Sequence, residues 1–213
     1  MKILITAGPT REYLDPVRFI SNPATGITGY LIARIAKRKG HDVVLISGPS
    51  FLKPPKGVRV IYTESAIEMK DAVEKEFLAC DVLIMSAAVS DWRPEKKFDN
   101  KLKIKRKWTL SLVPNPDILK AVSMLKRKNQ MIVGFALESQ ELLKNAIKKM
   151  KDKNLDMIVA NTVQNFGIPE KKSDIYVIYR DETIKDCSSF TKMELASFIV
   201  KEIERLAKKH NEK

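Results

Sequence analysis

Strand-sized apolar runs alternate with amphipathic helical stretches along almost the whole chain, and that alternation leaves few folds open. Strands read at residues 2–6, 42–47, 58–62, 81–87, 108–113, 131–136 and 156–160. Helices read at 27–39, 65–78, from 115 onward, at 139–151 and at 191–208. The Val82-Leu83-Ile84-Met85 run has no polar side chain, as a parallel strand covered on both faces requires. Strand and helix alternating over short connections predict an α/β fold with a doubly wound, mostly parallel, Rossmann-like sheet. Residues 175–179 and 183–184 flank Arg180-Asp181-Glu182, which predicts a C-terminal antiparallel hairpin. Local signals mark helix ends: Gly40 as a C-cap, Ser65 with Glu68 and Thr191 with Glu194 as capping boxes, and Asn115 as an N-cap before Pro116. The 213 residues show no repeat and no linker, so one domain over 1–213 is expected, with a disordered tail from about 209. Residues 93–107 are polar, strongly basic and without helical period, and predict a mobile flap.

Several classes of function fall away. No apolar run reaches membrane-spanning length, and the N-terminus enters a strand without the apolar core of a signal peptide. Cys80 and Cys187 have no C-x-x-C spacing, which disfavours a zinc site or disulfide framework and fits a reducing cytoplasm. His41 and His210 have no Ser or Cys partner near them, so a hydrolase triad lacks support. The formal charge of +13 attracts anions, either nucleic acid or phosphorylated small molecules. Much of that excess reads as solvated helix surface, Lys148-Lys149-Met150-Lys151 and the C-terminal lysines included.

In a doubly wound sheet, ligands bind beyond the carboxyl ends of the strands. The loops at 7–26, 48–49, 87–107, 135–138 and from Asn161 are expected to converge there. Ser21-Asn22-Pro23-Ala24-Thr25-Gly26-Ile27-Thr28-Gly29 places glycines and small hydroxyl residues before a helix, a phosphate cradle made of backbone N–H groups. It is neither a Walker loop nor the G-x-G-x-x-G of a dinucleotide fold; Gly8-Pro9-Thr10 stands where that fingerprint would begin. Ser86-Ala87-Ala88-Val89-Ser90-Asp91-Trp92 ends the most buried strand, with Asp91 a candidate ligand for a divalent cation. Lys101, Lys103, Lys105 and Lys107 share one side of an extended segment, with Leu102 and Ile104 on the other as anchors.

Together these pieces resemble phosphopantothenoylcysteine synthetase. The matching motifs are Ile5-Thr6-Ala7-Gly8-Pro9-Thr10-Arg11-Glu12, Leu14-Asp15-Pro16-Val17-Arg18, Ile20-Ser21-Asn22, Gly26 and Gly29-Tyr30. Further on come Ser47-Gly48-Pro49, Ala87-Ala88-Val89 with Asp91, the lysine-rich loop, Asn115-Pro116-Asp117-Ile118-Leu119, Val133-Gly134-Phe135-Ala136-Leu137-Glu138 and Ile158-Val159-Ala160-Asn161. The resemblance implies a ligase that joins 4′-phosphopantothenate to cysteine through an acyl-cytidylate formed from CTP with Mg²⁺, at the interface of a homodimer. By the same resemblance, Gly8, Ser21, Thr25 and Gly26 cradle phosphates, and Pro9, Thr10, Ser47, Gly48 and Phe135 complete the nucleotide site. Ala87, Ala88 and Val89 hold the nucleotide through their backbones, and Asp91 sits by the metal. Arg18, Asn22, Ala24, Ala136 and Asn161 meet the substrate. Asn22 serves turnover of the acyl intermediate, with Lys101, Lys103, Lys105 and Arg106 on the closing flap. The catalytic lysine is Lys103 by motif pattern and Lys101 by spacing from Arg93. The chain departs from the family at Ala24-Thr25, where Ser-Ser is usual, and at Ser90, where Ala is usual. It starts at the synthetase motif, so no FMN is expected.

Two other readings are weaker. An NAD(P)-dependent Rossmann-type oxidoreductase needs an acid after the second strand, where this chain has Ile46-Ser47-Gly48. A nucleic-acid-binding module needs aromatics interleaved with the basic patch, and only Phe98 and Trp108 flank it.

Overall fold

The computed structural model describes residues 1–163 and 174–211, with the side chains of 209–211 left aside. In chain order the strands are β1 (Lys2–Ala7), β2 (Arg11–Tyr13), β3 (Phe19–Ser21), β4 (Asp42–Ser47), β5 (Arg59–Tyr62) and β6 (Val82–Met85). They continue as β7 (Trp92–Pro94), β8 (Leu112–Pro114), β9 (Met131–Glu138), β10 (Met157–Thr162), β11 (Ile175–Tyr179) and β12 (Ile184–Asp186). The helices are α1 (Ile27–Arg38), α2 (Ala66–Phe77), α3 (Ile118–Leu125), α4 (Leu142–Asp152) and α5 (Lys192–Asn211).

The main sheet has the order β12-β11-β10-β9-β6-β1-β4-β5, and its strands from β10 to β5 run parallel. β11 and β12 add an antiparallel edge, the expected hairpin. The chain leaves β1 toward β4 and β5, then returns across it to β6, β9 and β10. Strand order therefore reverses between β1 and β6, and a crevice opens at their carboxyl ends. Alternate residues of the apolar strands serve two cores. Ile3, Ile5, Val43, Leu45 and Ile84 pack under α1 and α5, while Leu4, Val44, Ile46, Leu83 and Ile132 pack under α2, α3 and α4. Helices cover both faces, so the doubly wound α/β fold read from the sequence is the fold observed. Among the described residues, no helix is long and apolar enough to cross a membrane.

The helix ends follow their local chemistry. Gly40 has φ +86°, with His41 N–H donating to Ala36 O at 3.2 Å and Gly40 N–H to Lys37 O at 3.0 Å, a Schellman stop for α1. Ser65 Oγ accepts from Glu68 N–H at 3.2 Å, and Glu68 accepts from Glu64 N–H at 2.9 Å. Thr191 and Glu194 repeat the capping pattern before α5.

Some expectations need correction. The long loop before α1 contains the β2–β3 hairpin. Residues 108–113 do not join the sheet: only Leu112–Pro114 is extended, and it pairs with β7 in a separate ribbon. Asp117, not Asn115, caps α3, accepting from Lys120 N–H at 2.9 Å. Asn115 precedes Pro116, which disfavours a helical backbone there, and its amide donates to Ser90 O at 2.9 Å instead. α4 begins at Leu142, after Glu141 at φ 47°, so residues 139–141 are not helical. β6 stops at Met85 because the chain turns toward β1's loop. α5 runs to Asn211, so residues 209–211 of the expected disordered tail are helical, and 212–213 lie outside the described residues.

Candidate active site

The reversal point is built from backbone approaching backbone. Gly8 follows β1 with φ +78°, and Gly26 precedes α1 with φ +82°, conformations that suit glycine. They also touch: a Cβ on Gly26 would stand 2.8 Å from Gly8 N. A Cβ on Gly48, after β4, would stand 1.8 Å from Pro9 O. Gly48 N–H donates to Ala7 O at 2.9 Å, and on the other flank Ala88 N–H donates to Gly8 O at 2.9 Å. Pro9 bridges Ala88 in parallel register. The loops after β1, β4 and β6 and the start of α1 are thus drawn into one lattice.

The hydroxyl side chains hold that lattice together. Thr10 is fully buried, and its Oγ1 accepts from Ser90 N–H at 3.0 Å; Thr6 Oγ1 accepts from Ala87 N–H at 3.1 Å. Ser21 Oγ donates to Thr10 O at 2.7 Å. Asn22 Nδ2 donates to Ala88 O and Val89 O, both at 3.2 Å. Ser47 is fully buried, donating to Gly48 O at 2.8 Å and meeting Tyr30 OH at 2.9 Å. Both hydroxyls are spent inside the loop packing, so Ser47 and Thr10 shape the crevice from within and offer a ligand their backbone rather than their side chains. Pro9 is likewise buried in the loop packing. Asn22 and Thr25 are exposed, and Ala24 is half-buried beside them. Gly26 gives α1 no side-chain cap, and the first turn holds no acidic residue. A long 3.4 Å contact from Ile27 N–H to Thr25 Oγ1 is the side-chain contact at the helix start. Free N–H groups and the helix dipole make such an end favourable for an anion.

β9 supplies a wall. It pairs with β10 as far as Glu138 but with β6 only as far as Gly134, so residues 135–138 overhang the crevice end of β6. Phe135 is half-buried against the α1–α5 layer. Ala136 is 1% exposed and its side chain packs on the α2–α4 side, so it meets the crevice end through its backbone. Asn161 lies near the end of β10, two strands beyond β6. Lys149 of α4 donates from Nζ to Phe135 O at 2.9 Å. Burial pushes its pKa down, while the carboxylates of Glu138 and Asp91 act to raise it. This lysine belongs to a run read as solvated surface, and that reading is corrected here. The signal was its spacing: Lys149 flanks the buried Ala146 and Met150, at the margin of the apolar stripe of α4.

The basic loop connects β7 and β8. Lys101, Lys103, Lys105, Arg106 and Lys107 are exposed, Leu102 is half-buried, and Ile104 is 40% exposed, so the expected anchoring holds at Leu102 and not at Ile104. The loop is tied to the β2–β3 connection. Phe98 N–H donates to Leu14 O at 2.7 Å, Leu102 N–H donates to Asp15 Oδ2 at 3.0 Å, and the Arg18 guanidinium donates to Leu102 O. Asp91 is exposed, and among the described residues no three metal-ligating side chains cluster. One carboxylate suits a Mg²⁺ carried by phosphates better than a resident ion.

A reversal-point crevice lined by close-packed glycine backbone, with an uncapped helix start and a basic loop, defines an α/β domain built for an anionic ligand. The chain belongs to a particular family of such domains, the DNA/pantothenate metabolism flavoprotein C-terminal domain, whose model matches residues 1–206. It is 40% identical over 215 residues to the coenzyme A biosynthesis bifunctional protein CoaBC of Bacillus subtilis (strain 168), covering 99% of this chain and 53% of that protein. It is 38% identical over 204 residues to the corresponding Haemophilus influenzae protein, covering 95% and 51%. The chain thus spans about half the length of these relatives. The crystal structure of the C-terminal domain of a CoaBC protein superposes with a TM-score of 0.83 at 36% identity, covering 98% of this chain and 96% of that one. A mutant of Cab2 in complex with phosphopantothenate-cysteine shares the fold, with a TM-score of 0.80 at 17% identity over 98% and 87% of the two chains.

Proposed function

We propose that this domain joins 4′-phosphopantothenate to cysteine, with CTP as the activating nucleotide, in cytoplasmic coenzyme A biosynthesis. The observation that carries the reading is the Gly8–Gly26–Gly48 lattice beneath the uncapped start of α1, which matches a ligand whose reacting end is phosphate. A carboxylate oxygen of phosphopantothenate attacks the α-phosphorus of CTP, and pyrophosphate leaves. The cysteine amine then attacks the acyl carbon, CMP leaves, and the nitrogen gives up a proton. This chemistry needs no side-chain nucleophile. It needs two anions held together and negative charge offset at phosphorus. Gly8, Ser21, Thr25 and Gly26 surround the phosphates, Ala87, Ala88 and Val89 present backbone to the nucleoside, and Phe135 and Lys149 close its far side. Lys101, Lys103, Lys105 and Arg106 supply cationic charge from the flap, and Asp91 would hold a Mg²⁺ carried by the nucleotide, which would offset phosphate charge. Arg18, Ala24 and Asn161 are assigned to phosphopantothenate.

Purified protein with Mg²⁺, phosphopantothenate and cysteine is expected to release pyrophosphate, fastest with CTP. No nucleotide-dependent release sinks the ligase reading. Asn22 spends its amide hydrogens on Ala88 O and Val89 O, which leaves Oδ1 for the incoming amine. Asn22→Asp puts a second oxygen against those carbonyls and is expected to slow product formation about 100-fold while the acyl-nucleotide accumulates. Full-rate product from that variant removes the role given to Asn22.

We also propose a homodimer through the two small hairpins. Val17 (55% exposed), Phe19 (41%), Trp92 (52%) and Leu112 (42%) lie on these hairpins, a run of apolar surface beside the crevice. Trp92→Glu is expected to weaken dimerisation about 30-fold or more, read by sedimentation equilibrium. An unchanged dimer places the interface elsewhere.

A further inference from the structure

We propose that Asp15 is a positioning residue: it fixes Leu102, and through Leu102 the flanking Lys101 and Lys103, against the β2–β3 turn that carries Arg18. The proposal deepens the ligase reading and rests on it for the role of the lysines. Asp15 is fully buried, yet every part of its carboxylate is used. Oδ1 accepts from Val17 N–H at 2.8 Å and Arg18 N–H at 2.9 Å, which shapes the β2–β3 turn. Oδ2 leaves that turn altogether and accepts from Leu102 N–H at 3.0 Å, 87 residues away. The Arg18 guanidinium stands 3.5 Å from the same oxygen and donates to Leu102 O.

Local turn-making accounts for Oδ1 alone. The reach of Oδ2 has another consequence: one ion pair holds both the N–H and the C=O of Leu102. A peptide gripped at both polar groups cannot slip by a residue, and slippage by one would exchange the side chains turned inward and outward. With Leu102 half-buried and its neighbours exposed, the clamp turns Lys101 and Lys103 to the same outer side. Lys105 and Arg106 lie beyond it. The motif pattern and the spacing from Arg93 pick different lysines; a grip on the residue between them positions both. Arg18 uses only Nη2 here and has no other partner among the described residues, so Nη1 and Nε remain for an anion. Asp15→Asn is close to isosteric and keeps an acceptor for the turn, but it removes the charge from Arg18 and turns an NH₂ toward Leu102 N–H.

The loop carries its own reporter, since Lys101, Lys103, Lys105, Arg106 and Lys107 are trypsin sites. In Asp15→Asn, tryptic cleavage within 101–107 of the ligand-free protein is expected to accelerate about tenfold or more, the effect of losing roughly one charge-assisted hydrogen bond. The kcat for ligation is expected to fall about 10- to 100-fold, with the KM for CTP changed by less than about threefold. Leu102→Ala, which leaves the gripped backbone in place, is expected to stay within about twofold of the parent in cleavage rate. Unchanged cleavage in Asp15→Asn overturns the proposal, as does an equal acceleration in Leu102→Ala. If circular dichroism shows Asp15→Asn unfolded, Arg18→Met makes the same test at the Leu102 carbonyl, and unchanged cleavage there overturns it too. Cleavage is read without substrates, so a parent protein that lacks ligase activity refutes the ligase reading while the clamp is still decided.

Discussion

Asp156→Ala is expected to destabilise the fold by about 3–5 kcal/mol, the usual cost of removing one member of a buried ion pair. Asp156 sits before β10 at the amino end of the sheet, away from the crevice. Its side chain and that of Lys126 are 7% and 6% exposed, with Lys126 Nζ 2.5 Å from Oδ2. The same oxygen accepts from Ile132 N–H at 2.7 Å, and Oδ1 meets Arg180 Nη1 at 3.2 Å. One carboxylate therefore ties the end of α3, the start of β9 and the turn after β11. Without it, Lys126 keeps only Asn154 O at 3.1 Å, and the Ile132 N–H loses its acceptor. Thermal melting should report a fall of about 6–20 °C, at roughly 2–4 °C per kcal/mol for a chain of this size. Burial already holds the Lys126 pKa below its ordinary value, with Asp156 opposing that shift. Removing Asp156 lowers it further. Between the lowered folded pKa and the ordinary unfolded one, the unfolded chain binds more protons, so stability rises with pH there. The defect should thus shrink toward alkaline pH. A loss below about 1 kcal/mol at neutral pH means that solvent reaches the pair and screens it.

What was legible in the sequence depended on whether the information was local. The capping pairs Ser65/Glu68 and Thr191/Glu194 act within one turn, so residue type and spacing sufficed. The apolar strands announced their burial because both faces are covered. The β2–β3 and β7–β8 ribbons did not: each strand has three residues, too short for a period, and their stability comes from tertiary bonds such as Phe98 N–H to Leu14 O. Asn115-Pro116-Asp117 read as a cap at Asn115, but α3 is capped by Asp117, and the Asn115 amide goes to an acceptor distant in sequence, Ser90 O. The site split in the same way. Its glycines were visible as glycines, but their mutual contact was not, because residues 8, 26 and 48 meet only when β1, β4 and α1 are assembled. Ser47 and Thr10 entered the nucleotide site through the family resemblance, and only the fold shows that their hydroxyls are turned inward. Lys149 was hidden by its lysine neighbours, since charge alone does not reveal which member of a run lies against Phe135.

Gly48→Ala is expected to lower ligation about 100-fold or more, the scale set by misplacing reacting groups by about 1 Å, while the fold survives. The added Cβ would lie 1.8 Å from Pro9 O and 2.9 Å from Pro9 C, both backbone atoms, so no side chain can swing aside to make room. Nor can Pro9 retreat freely, because it is bridged to Ala88 on its other flank, where Ala88 N–H also holds Gly8 O. The strain is forced into the spacing of the loops after β1, β4 and β6, and that spacing sets the proposed phosphate cradle. The stability cost should be about 1–3 kcal/mol, as for overpacking elsewhere, too little to unfold the two apolar cores. Gly57→Ala separates this steric demand from glycine's conformational one. Gly57 has φ +79° and meets only Lys37 Cε, at 3.1 Å, so the substitution strains a surface turn and leaves the crevice untouched. It should cost about 1 kcal/mol and leave both CTP binding and turnover at the parent level. Isothermal titration with CTP, run beside urea denaturation, distinguishes the two variants. Parent-level binding and turnover in Gly48→Ala would mean that the loop after β4 is not part of the nucleotide's support, and the cradle would then rest on Gly8, Gly26 and the start of α1 alone.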